Sequence, residues 1–386
     1  MSINKKIFLA IALAAVTLVL FWAQNRFLIN HNPPALQKRN FTEDLLGERE
    51  IKLKPEPIEI ILVGDIMLSR NVAEAINKAG DPELPFRHVS DFLKSADFAF
   101  GNLESPFSGS DKFAPSPSLV FNAPKKNVLG LVENNFKILS LANNHTLDQK
   151  LEGLIHTKTF LDENGIKTVG AGKNQAEAWQ AQVIEVKGKR IGFLAASYAS
   201  YNDGGKTRNE YVARMEDLDN LKSEILNLKS YADFIIVAMH AGTEYTHKPR
   251  EEQVDFARAA VDFGADVVGG HHPHWIQPIE VYRPTLLPSP SNGEGGPPAG
   301  GTGEVEQKPI GLIFYSLGNF IFDQEWSQKT KEGLATRLTI DQEQLTKAEL
   351  IPIIIENYCC ARLADPQESA RILSGINATS TINFQP

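Results

Sequence analysis

The chain has 386 residues, of which 42% are apolar and 22% are charged, so it can bury a large core and is not globally disordered. Its 39 basic and 47 acidic side chains give a formal net charge of −8. That balance, without a basic block, argues against a general nucleic-acid binder. With two cysteines the chain cannot form a disulfide scaffold or a zinc–thiolate cluster.

The N-terminal segment has the pattern of a membrane anchor. Lys5 and Lys6 precede an uncharged apolar run that ends at Ala23. The run is at the lower limit of the about 17–25 residues that span a bilayer. Phe21 stands where a signal peptidase needs a small side chain, so residues 1–23 are predicted to be an uncleaved signal anchor with the rest of the chain outside. Cleavage after Ala23 is the alternative.

Short β-branched runs alternate with helical stretches after this segment, which is typical of an α/β architecture. Strands are predicted at 58–63, 97–100, 136–142, 234–239 and 266–268, and helices at 125–134, 149–164, 216–230 and 250–263. Two hairpins, within 183–195 and 335–355, predict that the sheets are mixed.

The remaining segments set the domain boundaries. Residues 24–57 are polar with spaced prolines and are predicted to be a tether. One large domain is predicted at 58–358, interrupted by a Gly-, Pro- and Ser-rich disordered insertion at 284–309. Residues 359–386 are predicted to be a peripheral tail. The adjacent Cys359 and Cys360 are predicted to be free thiols, because disulfide geometry is strict; a strained vicinal ring is the alternative.

Polar residues stand at the end of each predicted strand. Ligands of open α/β sheets bind outside the carboxyl ends of the strands, so these residues are expected to converge. Carboxylate, amide and imidazole groups together suit a divalent transition metal, and the lack of a thiolate argues against a structural zinc site. The candidates are Asp65, Glu104, Asn144, His145, His240, His272 and His274.

The segment His272-Pro273-His274 is the strongest single signal. Proline keeps the residue before it extended, and in an extended segment the two histidines point to the same side. This spacing predicts two metal ligands from one strand end.

The motifs, in their order, resemble the poly-gamma-glutamate capsule synthesis (CapA, or PGA_cap) family, which is similar to the calcineurin-like metallophosphoesterases. They are Gly64-Asp65, Gly101-Asn102-Leu103-Glu104, Ala142-Asn143-Asn144-His145, His240-Ala241-Gly242 and His272-Pro273-His274. The resemblance runs from about Ile58 to Asp323. It implies a calcineurin-like metallophosphatase fold, with two mixed β-sheets packed face to face and flanked by helices.

The resemblance also implies roles for individual residues. Asp65 and His274 would bind a first metal, Asn144, His240 and His272 would bind a second, and Glu104 would bridge the two. His145 would be the catalytic acid. From their positions beside these motifs, Arg70, Asn102, Glu244 and Asn319 are predicted to lie on the substrate side. The alternatives are a solvated or helix-facing Arg70 and an Asn319 that only forms a turn.

Two departures from the family pattern leave open whether one or two ions bind. No histidine follows Asp65, since Ile66-Met67-Leu68 is apolar, and Glu104 stands in place of a bridging aspartate. Manganese, iron or zinc would be the metal.

The N-terminal segment predicts a membrane-anchored, extracytoplasmic protein, and the resemblance implies a role in capsule or poly-gamma-glutamate biosynthesis through a metal-dependent hydrolase site. Its partners would be the cytoplasmic membrane, an anionic polymer or its precursor, and other capsule synthesis membrane proteins, but no nucleic acid. The alternative is a metal-binding, non-catalytic module for polymer binding, export or anchoring.

Overall fold

The computed structural model describes residues 56–198, 210–284, 310–376 and 378–384. The predicted anchor, the tether up to residue 55 and the predicted insertion from residue 285 lie outside this part of the chain. Within the described residues, no helix combines the length and the apolar character needed to cross a bilayer.

The described residues contain fifteen strands and eight α-helices. The strands are β1 (Ile58–Ile66), β2 (Phe98–Leu103), β3 (Phe136–Ser140), β4 (Lys167–Val169), β5 (Gln182–Val186), β6 (Lys189–Ser197), β7 (Phe234–His240), β8 (Val267–His271), β9 (Ile279–Tyr282), β10 (Gly311–Phe314), β11 (Asn319–Ile321), β12 (Glu332–Asp341), β13 (Gln344–Glu356), β14 (Cys360–Leu363) and β15 (Thr381–Asn383). The helices are α1 (Arg70–Ala79), α2 (Ser90–Lys94), α3 (Val128–Glu133), α4 (Lys150–Glu163), α5 (Gln175–Ala178), α6 (Leu218–Leu228), α7 (Glu251–Phe263) and α8 (Pro366–Gly375).

The strands form two mixed sheets. The first has the order β14-β13-β12-β1-β2-β3-β4, with β11 paired to β1 and β15 to β13. The second has the order β5-β6-β7-β8-β10-β9. Strands β1 to β4 and β6 to β8 run parallel, whereas the predicted hairpins β5–β6 and β12–β13 are antiparallel. The predicted mixed α/β architecture is therefore confirmed.

The two sheets pack face to face, and helices cover their outer faces. Between the sheets, the ring of Phe193 on β6 lies 5.0 Å from that of Phe100 and 6.0 Å from that of Phe98, both on β2. One outer core lies under α1, α3 and α4, and the other lies under α6 and α7. A strand buried on both faces needs apolar side chains throughout, which explains the continuous apolar run of β1.

The end of β1 depends on a glycine. Asp65 N donates to Gly318 O at 3.0 Å, so the two backbones touch at this point. A Cβ on Gly64 would lie 1.9 Å from that same carbonyl oxygen. Only glycine allows this approach, which sets the position of Asp65 beside β11.

The residues after 358 belong to the domain, so the predicted peripheral tail is wrong. Strands β14 and β15 both pair with β13, and Ile372 and Leu373 of α8 are buried in the core between the sheets. The segment is mostly polar, which is why the sequence predicts a peripheral position. A few apolar side chains and the backbone hydrogen bonds to β13 are nevertheless enough to hold it in the domain.

The prediction of free thiols is also wrong, since Cys359 and Cys360 form a disulfide. The two cysteines directly follow the turn between β13 and β14, which carries Asn357 and Tyr358 at positive φ. The structure therefore contains the vicinal ring, the alternative to free thiols.

Candidate metal centre

The donor residues lie where strands of both sheets end. One ligand atom each from Asp65, Glu104 and His240 lies within 4.8 Å of the other two, and all three side chains are buried. Asp65 lies near the end of β1, Glu104 follows β2, and His240 ends β7. The predicted convergence of these residues at the carboxyl ends of the strands is confirmed.

Asn102 lies beneath this cluster and connects its members. Its Nδ2 lies 2.8 Å from Asp65 Oδ1, 3.2 Å from His240 Nδ1 and 3.5 Å from Glu104 Oε2. Its Oδ1 accepts a hydrogen bond from Asn143 at 3.0 Å. Asn102 is fully buried and its amide is engaged on both sides. It was predicted to lie on the substrate side, whereas the structure places it beneath the donors, where an amide can orient them.

Asn144 and His240 meet from opposite sheets. Oδ1 of Asn144 and Nε2 of His240 are 2.7 Å apart. The ring of His240 also lies 4.8 Å from that of His272. The three residues predicted to share one metal are therefore neighbours.

The His272–His274 segment reaches the site by a turn, so the predicted extended conformation is wrong. The φ angles are 97° at His272 and 57° at His274, in the left-handed region that side chains with a Cβ seldom adopt. A hydrogen bond of 2.8 Å from Tyr245 N to Pro273 O holds the turn. His272 N lies 3.2 Å from Asp65 Oδ2, and His274 Nδ1 lies 3.6 Å from the same oxygen. Both residues reach the cluster, and backbone strain of this kind is typical of functional sites.

Partners on the ring nitrogens set which nitrogen each histidine can offer to a metal. Nδ1 of His274 lies 2.9 Å from Asn319 Oδ1, so the Nδ1–H donates there and Nε2 keeps its lone pair. Nε2 of His272 lies 3.1 Å from the hydroxyl of Tyr198, and its buried Nδ1 has no hydrogen-bond partner. Asn319, predicted to contact substrate, is instead fully buried beside a donor.

Burial acts on the two carboxylates with opposite results. It raises the pKa of Glu104 well above its ordinary value, and the charges of Asp65 and Glu244 raise it further. Burial also opposes ionisation of Asp65, but its hydrogen bond with His274 and its electrostatic interactions with the surrounding histidine rings hold its pKa below the ordinary value. Asp65 is therefore the permanent anion of the site.

The imidazoles are buried as neutral groups. Burial lowers the pKa of His240 well below its ordinary value and lowers that of His272 to about 3. Neutral imidazole is the form that binds metals.

His145 lies at the edge of the cluster. Its Nδ1 lies 2.7 Å from Asp148 Oδ2, and its Nε2 lies 3.8 Å from Glu104 Oε1. One nitrogen is thus anchored to a carboxylate while the other faces the donors. This is the arrangement that the predicted catalytic acid requires.

Arg70 and Glu244, both predicted to lie on the substrate side, have different surroundings. Arg70 forms a two-pronged ion pair with buried Asp323, and its Nη1 donates to Ser118 O at 3.2 Å. Glu244 is exposed, and it lies close enough for its charge to raise the pKa of Glu104. Of the two, Glu244 is the one open to solvent.

The residues present fit a divalent metal ion. Glu104 Oε1 is a buried oxygen without a hydrogen-bond partner, and Nε2 of His274 lies 3.9 Å from it. A buried carboxylate oxygen in such a place is costly unless a cation neutralises it. The mixed oxygen and imidazole donor set is compatible with manganese, iron or zinc.

Sequence reasoning missed several residues that hold the donors in place. Asp148 follows His145 by three residues and could have been found from that spacing. Tyr198 and Asp323 carry no local signal, because each meets its partner from a distant part of the chain.

Comparison with known proteins agrees with these motifs. A family model, described as bacterial capsule synthesis protein PGA_cap, matches residues 59–324. The capsule biosynthesis protein CapA of Bacillus anthracis is 31% identical over 308 residues, which cover 78% of this chain and 68% of the relative. The PGA biosynthesis protein CapA of Bacillus subtilis (strain 168) is 28% identical over 355 residues, or 91% of this chain and 81% of the relative.

A solved structure, a novel phosphatase of Mycoplasma pneumoniae, is similar with a TM-score of 0.47 and 14% identity over 83% of this chain and 99% of that chain. A likeness of this size does not bear on reaction or substrate. The family match covers more than half of this chain, and the Bacillus anthracis relative exceeds 30% identity. The chain therefore belongs to the bacterial capsule synthesis protein PGA_cap family.

Proposed function

We propose that this chain is a metal-dependent hydrolase that cleaves a phosphoester in an anionic surface polymer or its precursor. The observation that carries the proposal is the buried cluster of Asp65, Glu104 and His240 with the Nε2 of His145 beside it. Such a cluster combines a cation site with a proton donor. These are the two components that phosphoester hydrolysis needs.

Asp65, Glu104, Asn144, His240, His272 and His274 would hold the metal. When bound, a divalent cation supplies Lewis-acid charge that polarises the ester and activates water. Attack by water forms one bond to phosphorus while the bond to the leaving oxygen breaks.

The protein residues would place the groups that take part. His145 would give the proton on Nε2 to the leaving oxygen as its bond breaks, and Asp148 would hold the ring through Nδ1. Asn102 would keep Asp65 and His240 in position. The neutral imidazoles of His240 and His272 would bind the cation without adding charge.

The setting of the reaction is also a proposal. The apolar run that ends at Ala23 would anchor the chain in the cytoplasmic membrane, with the domain outside. The names of the two Bacillus relatives, a capsule and a PGA biosynthesis protein, support a role in polymer assembly, in which other capsule synthesis membrane proteins would take part.

The proposal is tested with the purified full-length chain. We expect one or two equivalents of manganese, iron or zinc to bind, and bis(p-nitrophenyl) phosphate to be hydrolysed only when metal is present. His240→Ala should abolish both. A metal-loaded protein that hydrolyses no phosphoester would contradict the proposed reaction. In cells, a strain without this gene should lose surface polymer, and the His240→Ala variant should not restore it.

A second candidate is a non-catalytic, metal-binding module for polymer binding, export or anchoring. It is favoured by Met67, which stands two residues after Asp65 with no exposed surface and packs in the apolar core. That position therefore supplies no donor. This candidate predicts that metal raises stability, that no ester is cleaved, and that His145→Ala restores surface polymer as well as the wild type does.

A further inference from the structure

Arg70 forms a buried contact with an aromatic ring. Its guanidinium carbon lies 4.8 Å from the centre of the Phe121 ring, and the bidentate ion pair with Asp323 fixes the plane of the group. The side chains of Arg70 and Asp323 are 10% and 1% exposed. Arg70 therefore has its charge neutralised and its position determined before any substrate arrives.

Phe121 in turn contacts His145 and its carboxylate partner. The two rings stack with centroids 3.9 Å apart and an angle of 20° between their planes. Phe121 N donates at 2.6 Å to Asp148 Oδ2, the same oxygen that lies 2.7 Å from His145 Nδ1. Phe121 thus contacts the imidazole through its ring and holds the carboxylate partner through its backbone.

The backbone of Arg70 is strained, and Asp323 holds it in this conformation. Its φ of 46° lies in the left-handed region, which is strained for a residue with a Cβ. Asp323 compensates by accepting from the side chain of Arg70 and also from Asn71 N at 3.2 Å. One carboxylate thus holds both the turn and the guanidinium.

We propose that Arg70 and Phe121 form a clamp that positions His145, so that Arg70 acts as a positioning residue and does not bind a substrate anion. The inference rests on the proposed function, because it takes His145 as the proton donor. Flat stacking prevents rotation of the imidazole, and Asp148 fixes Nδ1. Nε2 then faces Glu104 Oε1 at 3.8 Å, toward the donors.

The chain contains a matched control for this clamp. Arg337 pairs with Glu59 at 2.7 Å and lies 5.4 Å from the centre of the Phe92 ring, which repeats the carboxylate–arginine–phenylalanine order. This triplet has no histidine on the far side of its ring among the described contacts. Phe92→Leu and Arg337→Lys therefore test the loss of an equivalent contact.

The experiment compares two aryl phosphodiesters that differ only in the leaving group. A p-nitrophenolate leaves without help, whereas an unsubstituted phenolate needs a proton. We expect Phe121→Leu and Arg70→Lys to reduce kcat about tenfold more for the phenyl ester than for the p-nitrophenyl ester, with KM unchanged. Phe92→Leu and Arg337→Lys should leave the ratio of the two rates as in the wild type.

Two outcomes would overturn the clamp. The first is a raised KM for both esters in Arg70→Lys with an unchanged ratio of rates, which would make Arg70 a binder of the substrate anion. The second comes from NMR of the imidazole Cε1–H of His145, which the stacked ring shifts upfield. A signal that stays in place in Arg70→Lys, which keeps the Phe121 ring, would show that Arg70 does not hold the stacked pair.

The NMR measurement also separates failure of the clamp from failure of the proposed function. If the wild type cleaves neither ester with metal bound, the hydrolase proposal fails. The His145 signal then decides whether Arg70 and Phe121 position this ring, since the signal does not depend on turnover. A shift of the signal in Arg70→Lys, absent from the Arg337→Lys control, would support the clamp.

Discussion

The two sheets contribute different chemistry to the same cluster. The first sheet brings oxygen donors from Asp65, near the end of β1, and from Glu104 and Asn144, which follow β2 and β3. The second sheet brings nitrogen donors from His240 and the turn after β8. A cation bound between them would join the two sheets at one end of their shared core.

The oxygen donors of the first sheet (the oxygen side) and the nitrogen donors of the second (the nitrogen side) also differ in the free-energy cost of burying them. Burial leaves the imidazoles neutral, so the nitrogen side is accommodated without a counter-charge. On the oxygen side, Asp65 is held as an anion and its charge raises the pKa of Glu104. The oxygen side therefore gains most from a bound cation, and the following experiments test this difference.

The largest effect is expected from His240→Ala, which removes a nitrogen donor. Metal affinity should fall by more than about 100-fold, beyond the 10- to 100-fold typical of residues that only support a ligand. The apo protein should also lose about 2 kcal/mol, because a buried ring is replaced by a cavity. Calorimetric titration with Mn²⁺ and urea unfolding of the chelator-treated protein measure the two effects. Metal affinity equal to that of the wild type would remove His240 from the site.

Glu104→Gln, on the oxygen side, should stabilise the apo protein, whereas His240→Ala destabilises it. The substitution keeps the shape and replaces a carboxyl group, whose ionisation burial and Asp65 oppose, by a neutral amide, so the apo protein should gain about 1–3 kcal/mol near neutral pH. The rise in Tm caused by metal should disappear. Glu332 is the control, since it is buried but paired with Lys329 and Arg371. Glu332→Gln should destabilise the protein, and a stabilised Glu332→Gln variant would contradict the explanation.

Asn102→Ala should weaken the metal site without removing a donor. The amide lies between Asp65 and His240, one from each sheet, so its loss frees both side chains. Metal affinity is expected to fall about 10- to 100-fold. Binding stoichiometry should stay the same, which distinguishes this variant from His240→Ala. A change in stoichiometry would make Asn102 a ligand itself.

The pH dependence of apo stability should separate the two carboxylates. The folded pKa of Glu104 is raised above its unfolded value of 4.5, so stability falls as pH rises from 4.5 toward the folded pKa. The folded pKa of Asp65 is depressed, so its contribution is present above 3.8 and is lost as pH falls below that value. Urea unfolding of chelator-treated protein across these pH values measures both slopes. Glu104→Gln should flatten the first slope and leave the second, and an unchanged first slope would contradict the raised pKa.

The donors could be predicted from sequence because each one is attached to a strand end. A short apolar run followed by Gly-Asp, Asn-Asn-His or a lone His marks the carboxyl end of a buried strand, and parallel strands bring such ends together. The turn at His272 and His274 could not be predicted. Its left-handed backbone is stabilised by a hydrogen bond from Tyr245, which the local sequence does not reveal.

The supporting residues and the C-terminal elements could not be predicted from the sequence for a different reason. Asp323 meets Arg70 across 253 residues of sequence, and no periodicity connects them. β15 is held by backbone pairing with β13, for which side-chain composition gives no signal.

The smallest effect is expected from Tyr198→Phe on the nitrogen side. The hydroxyl lies 3.1 Å from His272 Nε2, and it accepts the Nε2–H when Nδ1 keeps the lone pair that a metal needs. Losing one such hydrogen bond costs about 0.5–1.5 kcal/mol, so metal affinity should fall about tenfold or less while Asp65 and Glu104 remain as they are. In the double variant with Glu104→Gln, the two losses should add in free energy if the sheets act independently. A coupling well above about 0.5 kcal/mol would show that the oxygen and nitrogen sides are linked through the cation.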